Sequence, residues 1–258
     1  MKSRWIVHGT DRAEADVNVL LFTYAGGSPS LFAPWKKLFD SRINLCPVLY
    51  PGRELRKEEQ MPESIGDMAA DFVDENKKLF EKDFVLFGHC TGNLIAYETA
   101  KYVFKKLRKC PLLFLVSGSN SPRSSDFARL LQDDDGKEVS DDVLAGRMIS
   151  QGLVTEDFFG NQAFREYYLP IYRNDLKMIS RFREKEPVPL SCAIRIMYGD
   201  EDEFLTSEGL RDWESYTTKA VEYEAFPGSH FYLTSQKERV TGRITQYIAH
   251  CREEACDM

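Results

Sequence analysis

Along the chain, short uninterrupted apolar runs take turns with longer stretches whose apolar residues recur at helical spacing. The short runs are rich in branched and aromatic residues and end at glycine, proline or polar clusters. They predict strands at Val17–Tyr24, Ile43–Tyr50 (irregular at Pro47), Phe84–Phe87 and Leu112–Ser117 (both buried), Ala193–Tyr198 and, with a more polar pattern, Val221–Phe226. Helical spacing links Leu31, Trp35, Leu38 and Phe39. It returns in Ile65, Met68, Ala69, Phe72, Val73, Leu79 and Phe80, behind a Ser64/Asp67 capping pair. Further helices are expected from Thr91 onward and over Ser235–Cys251. Strands alternating with amphipathic helices predict an α/β fold, a mainly parallel sheet flanked by helices on both faces. Residues up to Asp16 are polar and predict a ragged lead-in.

The rhythm changes after Asn120. Gln132–Ser140 is acidic and poor in apolar residues, which predicts an exposed loop. Residues 141–183 read as helical, with breaks near Gly152 and Gly160. They carry Phe158, Phe159, Phe164, Tyr167, Tyr168, Leu169, Ile171, Tyr172 and Met178. A helical insertion between core strands, about 132–185, is what a lid over an active site looks like. The competing reading is a pair of packing helices whose aromatics belong to the core. With no internal repeat and no low-complexity linker, 1–258 reads as a single domain.

The 258 residues, 43% hydrophobic and 29% charged, suffice for one large core. A net charge of −7 argues against general binding to nucleic acid or to anionic membranes. Charges stand where a signal peptide needs its apolar segment, and no apolar run approaches the ~20 residues of a membrane helix. The six cysteines, at 46, 90, 110, 192, 251 and 256, form neither a Cys-x-x-Cys pair nor a Cys/His cluster. The expectation is a reduced, cytoplasmic, monomeric enzyme without structural metal.

The chemistry centres on Gly88-His89-Cys90-Thr91-Gly92, set between an apolar strand and a helix. A Gly-x-nucleophile-x-Gly turn of this kind strains its central residue and leaves no room for flanking side chains. The nucleophile is usually serine; here it is Cys90. Its base must come from four histidines. His8 precedes the nucleophile, His89 adjoins it and should point away, and His250 lies on the last helix. His230, in the Pro227-Gly228-Ser229-His230 turn after a strand, has the right place. For the acid, Asp200 and Asp202 both follow a core strand; the Gly-x-x-Asp spacing favours Asp202. Oxyanion donors are expected at the Thr91 N–H and in the loop near Ala25 or Gly26. That glycine loop taken alone reads as a tight turn, and it lacks the pattern of a phosphate-binding loop, so no nucleotide or flavin cofactor is expected.

The segments LLFTYAGGSPSLFAPW, LCPVLYPGRELR, VLFGHCTGNLIAYE, YLPIYRNDLKMI, IMYGDEDEF and FPGSHFYL occur in the order found in one family. The chain resembles the type II (external) thioesterases that accompany non-ribosomal peptide and polyketide synthases. The resemblance covers nearly the whole chain. It implies an α/β-hydrolase fold with a mobile helical lid and removal of acyl or aminoacyl groups from the phosphopantetheine arm of carrier proteins. It also implies Cys90, Asp202 and His230 as nucleophile, acid and base, with Ala25 and Thr91 at the oxyanion hole. Two departures stand out: Cys90-Thr91 replaces the usual Ser-Met, and Asn93 replaces a small residue after the elbow. Attack by a thiolate on a thioester is a near-balanced exchange that yields an S-acyl enzyme. Hydrolysis is the leading expectation, with acyl transfer to an amine or second thiol, or cyclisation, as the alternative. A non-catalytic relic is disfavoured, because all three triad positions hold competent residues. Docking of an acidic carrier would use Lys101, Lys105, Lys106, Arg108 and Lys109, or Arg53, Arg56 and Lys57.

Overall fold

The six apolar runs become six strands: β1 (Val17–Phe22), β2 (Ile43–Pro47), β3 (Asp83–His89), β4 (Leu113–Ser117), β5 (Ala193–Gly199) and β6 (Val221–Phe226). In this computed structural model, which describes residues 3–125, 127–133, 135–184 and 186–256, they form one sheet in the order β2-β1-β3-β4-β5-β6. Every neighbouring pair is parallel. The helices are α1 (Ile65–Glu75), α2 (Gly92–Leu107), α3 (Asp141–Ser150), α4 (Glu156–Phe159), α5 (Gln162–Ser180), α6 (Ser207–Arg211), α7 (Tyr232–Ser235) and α8 (Lys237–Cys256).

The inner strands are largely apolar because alternate side chains enter two separate cores, whereas the edge strand β6 leaves Glu222, Tyr223 and Ala225 exposed. Leu20, Phe22, Leu86, Phe114 and Ile196 pack with α1, α2 and the buried half of α5. Val19, Leu21, Phe87, Leu115 and Met197 pack with Phe32, Trp35 and the Val240, Ile244 and Ile248 stripe of α8. The chain leaves β1 toward β2, then returns past β1 to β3. The carboxyl ends of β1 and β3 therefore flank a topological switch point, the crevice where open α/β sheets hold ligands.

Several boundaries differ from the sequence reading. β1 stops at Phe22, where the chain turns into the glycine loop, and β2 stops at Pro47, beyond which Val48 N–H still donates to the Leu21 carbonyl at 2.9 Å. The expected helix at Leu31–Phe39 is a 3-10 run, Pro29–Lys37, capped by Ser28 and interrupted by Pro34. The lead-in is packed rather than ragged. Trp5 is buried, Ile6 bridges to Val48, and the Arg12 guanidinium donates to the carbonyls of Lys36, Phe39 and Ile43. The run Trp5-Ile6-Val7 is too short to show periodicity, which is why the pattern missed it.

The insertion breaks where expected, with Gly152 at φ +72° and Gly160 between α4 and α5. Residues 134 and 185 of the expected 132–185 span, and the side chains of Phe158 and Phe159, lie outside the described residues. Helix α5 divides its aromatics between a partly exposed first half and a buried second half. Its first half exposes Tyr167, whereas Tyr172, Asp175, Leu176, Met178 and Ile179 are buried. Among the described residues no helix is long and apolar enough to cross a membrane, and no group of metal-ligating side chains occurs.

Candidate active site

Between β3 and α2 the backbone turns on Cys90, whose φ of +54° is left-handed; for a residue with a Cβ that costs about 1–2 kcal/mol. The flanking glycines make the turn sterically possible. A Cβ on Gly88 would lie 2.5 Å from the Asn93 Cα, and one on Gly92 would lie 2.4 Å from the Phe22 carbonyl oxygen. Hydrogen bonds hold the strained residue in place. Cys90 N–H donates to the Ser117 carbonyl of β4 at 2.9 Å, and Asn93 N–H donates to the Cys90 carbonyl at 3.1 Å. The fully buried Asn93 amide adds two more, from Nδ2 to the carbonyls of Cys90 and Ser117, both at 2.9 Å. The departure at position 93 thus fastens the elbow to the neighbouring strand.

His230 and Asp202 reach the same crevice from the loops after β6 and β5. These loops nearly touch: a Cβ on Gly199 would lie 2.2 Å from the Gly228 carbonyl oxygen. His230 Nδ1 lies 2.7 Å from Asp202 Oδ2, with the carboxylate wholly buried. The carboxylate accepts the Nδ1 proton and leaves Nε2 available to Cys90, which lines the same cavity. Asp200 is placed differently, its Oδ1 accepting from Gly228 N–H at 3.0 Å. Geometry therefore separates the two carboxylates: Asp202 meets the imidazole, while Asp200 shapes the turn. Burial pulls His230 toward neutrality, but the charges and hydrogen bonds of Cys90 and Asp202 outweigh it and raise its pKa from 6.5 to about 10.

His89 and Gly118 form the bed of this imidazole. The His89 ring is fully buried, 5.0 Å from that of His230, with Nδ1 3.0 Å from Ser117 Oγ. Ser117 Oγ in turn lies 2.7 Å from the Tyr232 hydroxyl. Burial and the neighbouring His230 push the His89 pKa well below its ordinary value, so this ring stays neutral. Gly118 has φ +55°, and a Cβ there would lie 3.1 Å from His89 Cε1 and 3.3 Å from His230 Cε1. The sequence offered only a small residue after a strand as a hint of this role.

On the other side, Gly27 N–H donates to the Tyr24 carbonyl at 2.8 Å, closing a turn at the end of β1. Gly26 N–H is taken by Asp175 Oδ2 of α5 at 2.7 Å. Among the described residues neither Ala25 N–H nor Thr91 N–H has an acceptor. Ala25, Cys90, Thr91 and His230 line a cavity of about 320 Å³, whose walls include Phe127, Leu130, Leu153, Tyr172 and Leu176. That volume is at the small end for ligand sites. Phe127 and Leu130 precede the expected lid span of about 132–185, which contributes Gln151, Leu153, Tyr172 and Leu176 to the walls.

The two basic clusters are less available than their sequence suggests. Arg53 and Arg56 are buried, bonded to Asp175 and Glu59 respectively, which leaves only Lys57 of that group at the surface. Lys101 pairs with Glu98 at 2.6 Å, and Lys109 donates to the Phe80 carbonyl at 2.6 Å. Lys105 and Arg108 are exposed, but they sit at the far end of α2, about 24 Å of helix from the elbow.

The Thioesterase domain family matches residues 18–248. Linear gramicidin dehydrogenase LgrE of Brevibacillus parabrevis is 27% identical over 94% of this chain and 91% of its own length. The RedJ thioesterase from the prodiginine biosynthetic pathway of Streptomyces coelicolor superposes with a TM-score of 0.81 at 27% identity, over 92% of each chain. The type II thioesterase BorB from the borrelidin biosynthetic cluster shares the fold, with a TM-score of 0.82 at 24% identity over 96% of this chain and 99% of its own. An elbow, a sheet and a match that runs from β1 into α8 agree: the chain belongs to the thioesterase domain family.

Proposed function

We propose that this protein is an editing thioesterase that hydrolyses acyl or aminoacyl thioesters from the phosphopantetheine arm of carrier proteins in non-ribosomal peptide or polyketide assembly. The observation that carries this reading is the Asp202–His230–Cys90 line beside a mostly apolar cavity at the switch point. The Cys90 thiolate attacks the thioester carbonyl, and the Ala25 and Thr91 N–H groups bind the oxygen that becomes negative. His230 Nε2–H protonates the departing pantetheine sulfur, leaving the acyl group on Sγ and the imidazole neutral. A water then gives its proton to Nε2 and attacks the S-acyl carbon. Collapse expels the Cys90 sulfur as thiolate and releases the free acid, restoring the starting pair. Asp202 keeps the imidazole in the required tautomer throughout.

The reaction draws on no nucleotide cofactor. In the glycine loop after β1, where a phosphate would need donors, Gly26 N–H already meets a carboxylate. The sulfur supports a second reading. An S-acyl enzyme retains thioester reactivity, so an amine or a second carrier thiol competes with water for the acyl group, which makes transfer the alternative outcome of the same intermediate. Turnover of an acyl-loaded carrier protein tests the shared first step. Wild type is expected to release the acyl group and Cys90→Ala to fall to background; retained turnover in the variant would refute the assignment.

A further inference from the structure

We infer that Asp175, together with Arg53, is a positioning residue for the oxyanion loop, anchoring the Ala25–Gly26 peptide that follows the Ala25 N–H, which itself lies on the preceding Tyr24–Ala25 peptide. This rests on the reading of Ala25 and Thr91 as oxyanion donors. Tyr24–Gly27 is a type II turn: Gly27 N–H closes on the Tyr24 carbonyl at 2.8 Å, and Gly26 has φ +76°. Type I and type II turns differ chiefly by a flip of the central peptide, here Ala25–Gly26. Asp175 Oδ2 accepts the Gly26 N–H at 2.7 Å. A flip would turn the Ala25 carbonyl toward that carboxylate, oxygen against oxygen.

Arg53 completes the device. Its guanidinium bonds Asp175 Oδ1 and donates from Nη1 to the Gly27 carbonyl at 2.9 Å. Both side chains are only 3% exposed, and Tyr50 lies under the guanidinium at 5.1 Å. A lone carboxylate so near a developing oxyanion would oppose catalysis. Paired with Arg53, it contributes direction without net charge. Asp175 sits on α5, as does Tyr172, whose ring lies 3.2 Å from where a Gly26 Cβ would be. The buried half of α5 thus sets the oxyanion loop and, through Tyr172 and Leu176, also walls the cavity.

The test compares two double variants with wild type on a small-molecule acyl thioester. Arg53→Met with Asp175→Leu removes the Gly26 acceptor without stranding a charge. Arg53→Gln with Asp175→Asn keeps an acceptor of nearly the same shape. The apolar pair is expected to lose at least roughly tenfold in kcat, part of the 10²–10³ lost when an oxyanion donor is removed outright. KM is expected to hold and the amide pair to recover most of the loss. Alkylation of Cys90 by iodoacetamide forms no oxyanion and is expected to proceed at the wild-type rate in both. Unchanged kcat in the apolar pair, or a parallel loss of alkylation, would overturn the positioning role. Absence of a Cys90 acyl adduct in wild type would instead overturn the parent reading, and this one with it. Should the apolar pair fail to fold, hydrogen exchange decides: a Gly26 amide protected in wild type and in the amide pair supports the contact, and fast exchange in wild type overturns it.

Discussion

Replacing Gly118 by alanine places one methyl group beneath the imidazole on which the proposed chemistry turns. The new Cβ would lie 3.1 Å from His89 Cε1 and 3.3 Å from His230 Cε1, where ordinary van der Waals contact begins near 3.4 Å. His89 has little room to retreat, being fully buried and bonded to Ser117, so His230 must give by a few tenths of an ångström. A misplacement of 1 Å costs on the order of 10²-fold in rate, so a third of that shift predicts a fall in kcat of roughly three- to tenfold. The backbone contributes separately, because alanine at φ +55° loses about 1–2 kcal/mol relative to glycine. At roughly 2–4 °C per kcal/mol, Tm should fall by about 2–8 °C. Steady-state hydrolysis and thermal unfolding, measured on one preparation below the transition, separate the two effects. A lowered Tm with wild-type kcat would refute the reasoning, by showing that the imidazole does not depend on this bed for its place.

Other outcomes follow from the same geometry. Because Asp202 is among the groups that raise His230 to about 10, Asp202→Asn should move the alkaline limb of kcat/KM to lower pH; an unmoved limb would show that another group sets it. The sign for stability agrees. A histidine raised from 6.5 to about 10 stabilises the folded chain fully below pH 6.5 and loses that contribution as pH rises through its folded value. Wild-type Tm should therefore fall more steeply across that window than that of Asp202→Asn. Asn93→Ala removes two hydrogen bonds of 2.9 Å, worth about 1–3 kcal/mol together, while both carbonyls keep a backbone donor. Its Tm should fall accordingly, and an unchanged Tm would discount the fastening role. Cys90→Ser should keep hydrolysis but yield less product with a thiol acceptor, measured by the ratio of transferred to free acyl group; an unchanged ratio would mean that sulfur does not direct the outcome.

What could be read from the chain beforehand was whatever is encoded locally. The elbow compresses strand, turn and helix into a few residues, and its glycines are demanded by contacts at 2.4 and 2.5 Å. His230 stood out because few histidines compete for the position. Asp200 and Asp202 shared the same local features, so only the fold could separate them. Asp175 looked like one polar residue on a helix. Its partners lie 122 and 149 residues away in sequence, and no periodicity reports such contacts. Arg53 and Arg56 misled for the same reason: the composition shows basic residues, while the fold buries both beside carboxylates. The walls supplied by Phe127 and Leu130 come from a single 3-10 turn, too short to leave a periodic trace.

The central claim is that Cys90 receives the acyl group, and intact mass spectrometry tests it directly. The protein is mixed with an acyl-loaded carrier protein, quenched over time and mapped by peptide, with and without an amine or second-carrier acceptor. The account predicts a mass increase of one acyl group on the Cys90 peptide, labile to hydroxylamine and decaying as free acid appears. An adduct that persists until an acceptor is added would place the chain among acyl transferases acting through the same thioester. Acid release with no adduct on Cys90 at any time, and undiminished in Cys90→Ala, would contradict the account.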